Sequence, residues 1–201
     1  MNGAGLINRR DKKRAETKER IFAEAMRLFA EKGYQATTVD EITEAADVAK
    51  GTFFNYFQTK EAVLQDFARL QMSRIEQARD EMKSGGNVRE VIRHMVRNLY
   101  REPSQSRNFT RGFIGMGLAN PEVAGLLSQS MKKGRGLLAE IFEEGRRSGQ
   151  LRTKLSSETL AAVTQRTMFG TLVIWALTGE TELMEIIDQN LETLWAGFGE
   201  S

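Results

Sequence analysis

Apolar residues recur three and four positions apart along most of this chain, the period of an α-helix with one buried face. Ile21, Phe22, Ala25, Met26, Leu28 and Phe29 form the first such stripe and predict a helix from about Ala15 to Lys32, ended by Gly33. Two short helices follow between Thr38 and Lys60. Thr38 and Glu41 have the spacing of a capping box, in which the threonine hydroxyl accepts from a backbone N–H three residues on while the glutamate reaches back to the threonine N–H. Ile42, Ala45 and Ala46 then make one small apolar face, and Asp47, Val48 and Ala49 are few enough to turn the chain sharply. In the second helix Phe53 and Phe57 fall on one side, with Gly51, Thr52, Asn55 and Tyr56 opposite. One face packs and the other is free to read a partner, the division of labour of a helix-turn-helix. Gly51 weakens its helix by up to roughly 1 kcal/mol and in exchange lets a partner approach the backbone closely.

The later pattern is helical throughout. Thr59 caps a fourth helix carried by Val63, Leu64, Phe67, Leu70 and Ile75 towards Lys83, the natural lever between the two parts of the chain. Ser84 to Asn87 break the chain, and Val88 to Arg101 make a fifth helix. Here Arg89, Arg93, Arg97 and Arg101 repeat every four residues opposite Val91, Ile92, Met95 and Leu99. A solvated row paired with acids elsewhere is the preferred reading of these arginines over a row that binds an anion, and His94 beside them is a boundary residue. Glu102 to Ser106 read as a linker. Phe109 to Leu118 contain Gly112, Gly115 and Gly117 and predict a movable element rather than a firm helix. Asn120 and Pro121 open a seventh helix to about Arg147, and Ser156 to Glu158 an eighth. The eighth is apolar all round from Met168 to Leu177, and the ninth, about Glu182 to Phe198, has seam-like spacing. A helix without a polar side needs cover on every side, so a second subunit is expected there.

The fold class is all-α: 40% of the 201 residues are hydrophobic and only 2 are proline. The absence of cysteine excludes disulfides and thiolate metal sites. No apolar run near 18 residues in length is evident, and the polar, basic Met1 to Arg14 lacks the apolar centre of a secretory signal, so a cytoplasmic protein with no membrane partner is expected. The formal net charge of +2 is small, but its placement matters. Residues 1–60 hold 11 Lys/Arg and 9 Asp/Glu, whereas the remainder balances at 18 of each. Arg9, Arg10, Lys12, Lys13 and Arg14 read as a basic arm able to lie along phosphates.

Glu16-Thr17, Ile21, Ala25, Leu28-Phe29, Lys32-Gly33-Tyr34, Thr37-Thr38-Val39, Ile42, Ala45, Val48, Lys50-Gly51-Thr52, Tyr56-Phe57 and Lys60-Glu61 together resemble the tetracycline-repressor (TetR) family of bacterial regulators. The resemblance implies a DNA-binding domain at 1–60 and, at 61–201, a helical domain that dimerises and senses a small molecule. Double-stranded operator DNA, a second copy of the chain and a small effector are therefore the expected partners. Thr52, Asn55 and Tyr56 are expected to face the major groove with Gly51 allowing close approach, Lys50 to sit at its edge, and Thr38 and Lys60 to hold phosphates. Asn55 is the best candidate for base readout, since an asparagine can donate to and accept from adenine. Phe54 stands where the family usually has a phosphate-bonding tyrosine and lacks that hydroxyl. Phe67, Leu70, Gln71, Met95, Leu99, Phe113, Met116, Met131, Met168, Phe169 and Trp175 are the expected lining of a broad lipophilic pocket. Leu160, Thr164, Thr171, Ile174, Ile187, Leu191, Leu194 and Phe198 are expected at a dimer interface of helices 8 and 9. No catalytic residue, metal site or cofactor is expected: with one histidine and neither paired carboxylates nor a phosphate loop in a fitting context, an enzyme is the weak alternative. A helical scaffold that binds only protein is the other.

Overall fold

The computed structural model describes residues 9–101, 103–105, 107–179 and 182–198. The stretch before Arg9 and the linker's Glu102 and Ser106 lie outside the described residues. The order is α1 (Arg9–Lys32), α2 (Val39–Ala45), α3 (Lys50–Tyr56), α4 (Lys60–Lys83), α5 (Val88–Tyr100), a tight 3-10 turn at Pro103–Gln105, α6 (Arg107–Ala119), α7 (Pro121–Arg147), α8 (Ser157–Thr178) and α9 (Leu183–Phe198). No strand occurs among the described residues.

The helix starts lie where local chemistry puts them. Thr59, Asn87, Asn120 and Ser156 each accept a backbone N–H at the first turns of α4, α5, α7 and α8. Gly33, at φ +87°, takes the left-handed conformation that ends α1. Two differences stand out. α1 begins six residues before the expected Ala15, so Lys12 to Arg14 are helical rather than an extended arm. Lysine and arginine are good helix formers, and Lys12 faces Glu16 one turn on. The glycine-rich segment is also a regular helix, α6. Its low propensity is offset by packing: Phe113 stands edge-on to Phe67 at 5.2 Å, and the Arg111 guanidinium holds the Ala176 carbonyl at the end of α8.

Two buried clusters organise the molecule. The first joins α1, α2 and α3 through Ile21, Phe29, Ile42, Phe53 and Phe57 and extends to Val63, Leu64 and Phe67 of α4, Met116 of α6 and Val123 of α7. The second lies among the C-terminal part of α4 and helices α5, α7, α8 and α9, around Met82, Ile92, Ile141, Phe142, Leu160 and Ile187. α4 supplies both and is continuous between them. The arginine row of α5 packs against acids of α9: Arg89 and Arg93 bond Glu192, and Arg97 bonds Asp188. Those three therefore brace two helices.

One expectation is corrected on α8. Its 22 residues include a window of mean hydropathy 1.3, long and apolar enough to cross a membrane by length and composition. The run was obscured because Thr164, Gln165, Arg166 and Thr167 interrupt it without raising its polarity far. Leu160, Ala161, Met168, Leu172 and Trp175 nevertheless lie in the second core, so one side of α8 is covered by protein.

Candidate functional site

The helix-turn-helix is built as its sequence suggests. The Thr38 hydroxyl accepts from the Glu41 N–H at 3.2 Å, and Glu41 accepts from the Thr38 N–H at 2.9 Å. Lys32 completes the corner with an ion pair to Glu41 at 2.7 Å. The Lys32 ammonium first, and the Thr38 N–H second, hold the Glu41 carboxyl at about 2, well below its ordinary 4.5. Asp47 forms the turn at φ +49°, a conformation aspartate tolerates better than most residues. In α3 Phe53 and Phe57 are fully buried, which at roughly 1.5–3 kcal/mol per side chain anchors a helix of only seven residues.

That anchoring leaves Gly51, Phe54 and Asn55 exposed, with Thr52 and Tyr56 half-buried at their flank. Asn55 points directly away from the buried pair at about 100° per residue. A Cβ at Gly51 would meet nothing within 4 Å. The N-terminal part of α1 runs alongside: Lys13, Arg14 and Thr17 form a groove with Thr52, Asn55 and Tyr56, and the Arg14 guanidinium stands 6.0 Å above the Tyr56 ring. Lys13 and Arg14 belong to the expected basic arm; Thr17 was not expected as a contact, and the 3.6-residue period of α1, which puts it one turn from Lys13 and Arg14, is the signal that could have found it. Lys50 is exposed and pairs with Asp40 at 2.7 Å.

Lys60 departs from expectation. The Lys60 ammonium donates to the carbonyls of Tyr34 (2.7 Å) and Thr37 (2.8 Å) and lies 4.5 Å from the Tyr34 ring centroid. It ties α4 to the α1–α2 connection, and its donors point inward rather than to a phosphate. The Thr38 hydroxyl, by contrast, makes the expected local cap with Glu41 at the exposed start of α2.

A cavity of about 240 Å³ lies among α4, α5, α6, α7 and α8. Phe67, Gln71, Met95, Leu99, Phe113, Met131, Met168 and Phe169 line it, as expected. Leu70 instead points outward, Met116 belongs to the first core, and Trp175 is packed in the second. Helical spacing marks inner faces, but it does not say which of two cores a face serves. Tyr100, Thr110, Thr164 and Gln165 also line the cavity and were not read as lining from the sequence. Polar residues on the apolar α8 were the clue for the last two.

The expected dimer residues divide by burial. Leu160, Thr164, Thr171, Ile187, Leu191 and Phe198 are buried inside the subunit, and Leu194 is half-buried. These six are corrected to internal packing, because a seam spacing is the same whether the partner helix comes from the same chain or another. Ile174 is 62% exposed and is joined by Leu177 at 67%, an apolar patch on the outer side of α8. Among the described residues no group of three or more His, Asp or Glu is placed to hold a metal ion.

The sequence profile of "Bacterial regulatory proteins, tetR family" matches residues 21–75, from the middle of α1 through the helix-turn-helix and along α4 as far as Ile75. The uncharacterized HTH-type transcriptional regulator YerO of Bacillus subtilis is 33% identical over 85 residues, which take in 40% of this chain and only 29% of that protein. YdeS, an uncharacterized HTH-type transcriptional regulator of the same organism, is 28% identical over 162 residues, 79% of each chain. Among solved structures, Thermus thermophilus FadR, described as a TetR family transcriptional repressor in complex with lauroyl-CoA, is 33% identical with a TM-score of 0.59, over 92% of this chain and 96% of that one.

Proposed function

The chain belongs to the tetR family of bacterial transcriptional regulators, and on that premise we propose that it is a dimeric repressor released from its operator when a lipophilic acyl-chain molecule fills the cavity. The observation that carries the reading is the pairing of an exposed Asn55 face on α3 with a separate, apolar cavity in the body. Residues 1–60 act as the DNA-binding unit and 61–201 as the sensing and dimerising unit, sharing α4. Asn55 reads a base, Thr52 and Tyr56 flank it, and Gly51 lets the duplex approach the backbone. Lys13, Arg14 and Lys50 supply phosphate contacts. Phe54, exposed on the same helix, adds an apolar contact to sugar or thymine methyl in place of a hydroxyl's bond to phosphate. Lys60 and Thr38 position the reading helix without touching DNA. The second copy docks on the outer stripe of α8, and the protein works in the cytoplasm, where the operator is.

Release needs a ligand that binds one arrangement of the heads better than another. Shifting a population from mostly bound to mostly free takes several kcal/mol of differential affinity, which a buried apolar ligand can supply. Phe67 and Phe113 provide the route, since both line the cavity while Phe67 also belongs to the first core and Phe113 packs against it. The acyl-CoA in the Thermus thermophilus relative supports an acyl chain as the ligand class.

The test is to capture genomic fragments with the purified full chain and measure affinity for the enriched duplex against a scrambled one at fixed salt. A specific duplex bound at least about 10³-fold more tightly than the scramble is expected. Equal binding to both overturns the repressor reading.

A further inference from the structure

On the reading face of α3 one side chain is apolar and yet exposed. Phe54 is 46% exposed, beside the exposed Gly51 and Asn55. Its ring stands edge-on to that of Phe53, with centroids 5.5 Å apart at 88°, and Phe53 is fully buried. The exposed ring is therefore braced from behind by the core. At about 100° per residue, Gly51 falls between Phe54 and Asn55 around the helix. A Cβ at Gly51 would meet nothing within 4 Å, so bare backbone and open space separate the ring from the amide. The face thus carries a recess with one apolar flank and one polar flank. The cations of α1 lie elsewhere: Lys13 and Arg14 border Thr52 and Tyr56, beyond Asn55 from the ring.

In the major groove the base edges present donors and acceptors with one apolar exception, the 5-methyl group of thymine. A phenyl ring makes no bond to a donor or acceptor edge, so it tells bases apart there only through that methyl. We propose that Phe54 is a specificity-determining residue that reads the 5-methyl group of one pyrimidine in each half-site, the methyl entering the recess over Gly51 while Asn55 bonds a polar base edge alongside. The inference rests on α3 being the DNA-reading helix, and it assigns the ring to a base rather than to sugar. At that position thymine is preferred to uracil, which lacks the methyl. A cytosine there is a poor substitute, and 5-methylcytosine, which carries a methyl on the same ring carbon as thymine, is a better one. Operator binding is then sensitive to cytosine methylation at one place in each half-site.

The test replaces the thymines of the enriched operator one at a time by deoxyuridine, which removes the methyl and keeps every hydrogen-bonding group, and measures binding of the full chain by fluorescence anisotropy at fixed salt. At one thymine in each half-site uracil should weaken binding about fourfold, the worth of one buried methyl group, and about 15-fold when both half-sites are changed. Phe54→Ala should bind the thymine and uracil duplexes alike, whereas Phe54→Tyr, which keeps the ring, should still tell them apart. With cytosine at the position, 5-methylation should strengthen binding by a similar factor in the parent and leave it unchanged in Phe54→Ala. Uracil tolerated by the parent at every thymine, or a uracil penalty undiminished in Phe54→Ala, overturns the proposal; the operator is then still preferred to the scrambled duplex and the repressor reading stands. If no duplex is preferred to the scramble, both fall together.

Discussion

Asn55 stands opposite Phe53 and Phe57 on a helix too short to hold itself, so its aim is set by those two rings. If it makes a bidentate bond to a base, Asn55→Ala should weaken operator binding by about 1–3 kcal/mol, roughly 5- to 150-fold, while leaving affinity for a scrambled duplex nearly unchanged. Fluorescence anisotropy on both duplexes decides it; matching losses on the two would reduce Asn55 to a backbone contact. Glu41 offers a test of the same unit by pH. Its folded carboxyl is depressed from 4.5 to about 2, so its contribution is complete above the unfolded value and vanishes as pH falls from about 4.5 through about 2. Glu41→Gln should therefore melt lower than the parent near neutral pH, with the gap closing across that window when melting is followed by circular dichroism. A gap that stays constant down to pH 2 would show that the charge does not stabilise the corner.

At the scale of elements, α7 rests on one side chain at its start. Asn120 is buried and accepts from the N–H groups of Glu122 (2.9 Å) and Val123 (3.2 Å). Asn120→Ala should lower stability by about 1–2 kcal/mol in a urea titration with an unchanged slope; a loss within about 0.5 kcal/mol would mean the cap is replaceable. Caps such as Thr38, Thr59 and Asn120 were legible in the sequence because donor and acceptor lie within three residues of each other. The partition of α3 into Phe53 and Phe57 against Asn55 was legible for a similar reason, a period within a single turn or two. What escaped was long-range. α6 looked too glycine-rich to be a helix, and its support comes from Phe67, 46 positions before Phe113, and from the Ala176 carbonyl, 65 positions beyond Arg111. Lys60 looked like a free cation at a helix start, yet its partners are carbonyls 26 and 23 positions earlier. The Arg89, Arg93 and Arg97 row could be read as paired only in general terms, because nothing in α5 says that Glu192 and Asp188 will lie across from it.

For the molecule as a whole, the question is how one small reading helix achieves operator specificity, and the answer lies in repetition. A seven-residue helix contacts a few base pairs, whereas two such helices held about one DNA turn apart, ~34 Å, multiply their discrimination. The outer side of α8 is suited to hold them, with Ile174 and Leu177 more than three-fifths exposed in the lone subunit. Covering such side chains returns roughly 25 cal/mol per Å² of apolar surface, and a charged substitution at the centre of the covered patch removes that gain and adds an unpaired buried charge. Ile174→Glu combined with Leu177→Glu should therefore give a monomer by size-exclusion chromatography with light scattering, with helicity unchanged because neither residue contributes to the subunit core. Operator affinity should fall at least about 100-fold towards that of a single half-site, as expected when the second contact ceases to be intramolecular. A double variant that remains dimeric would place the interface away from this stripe.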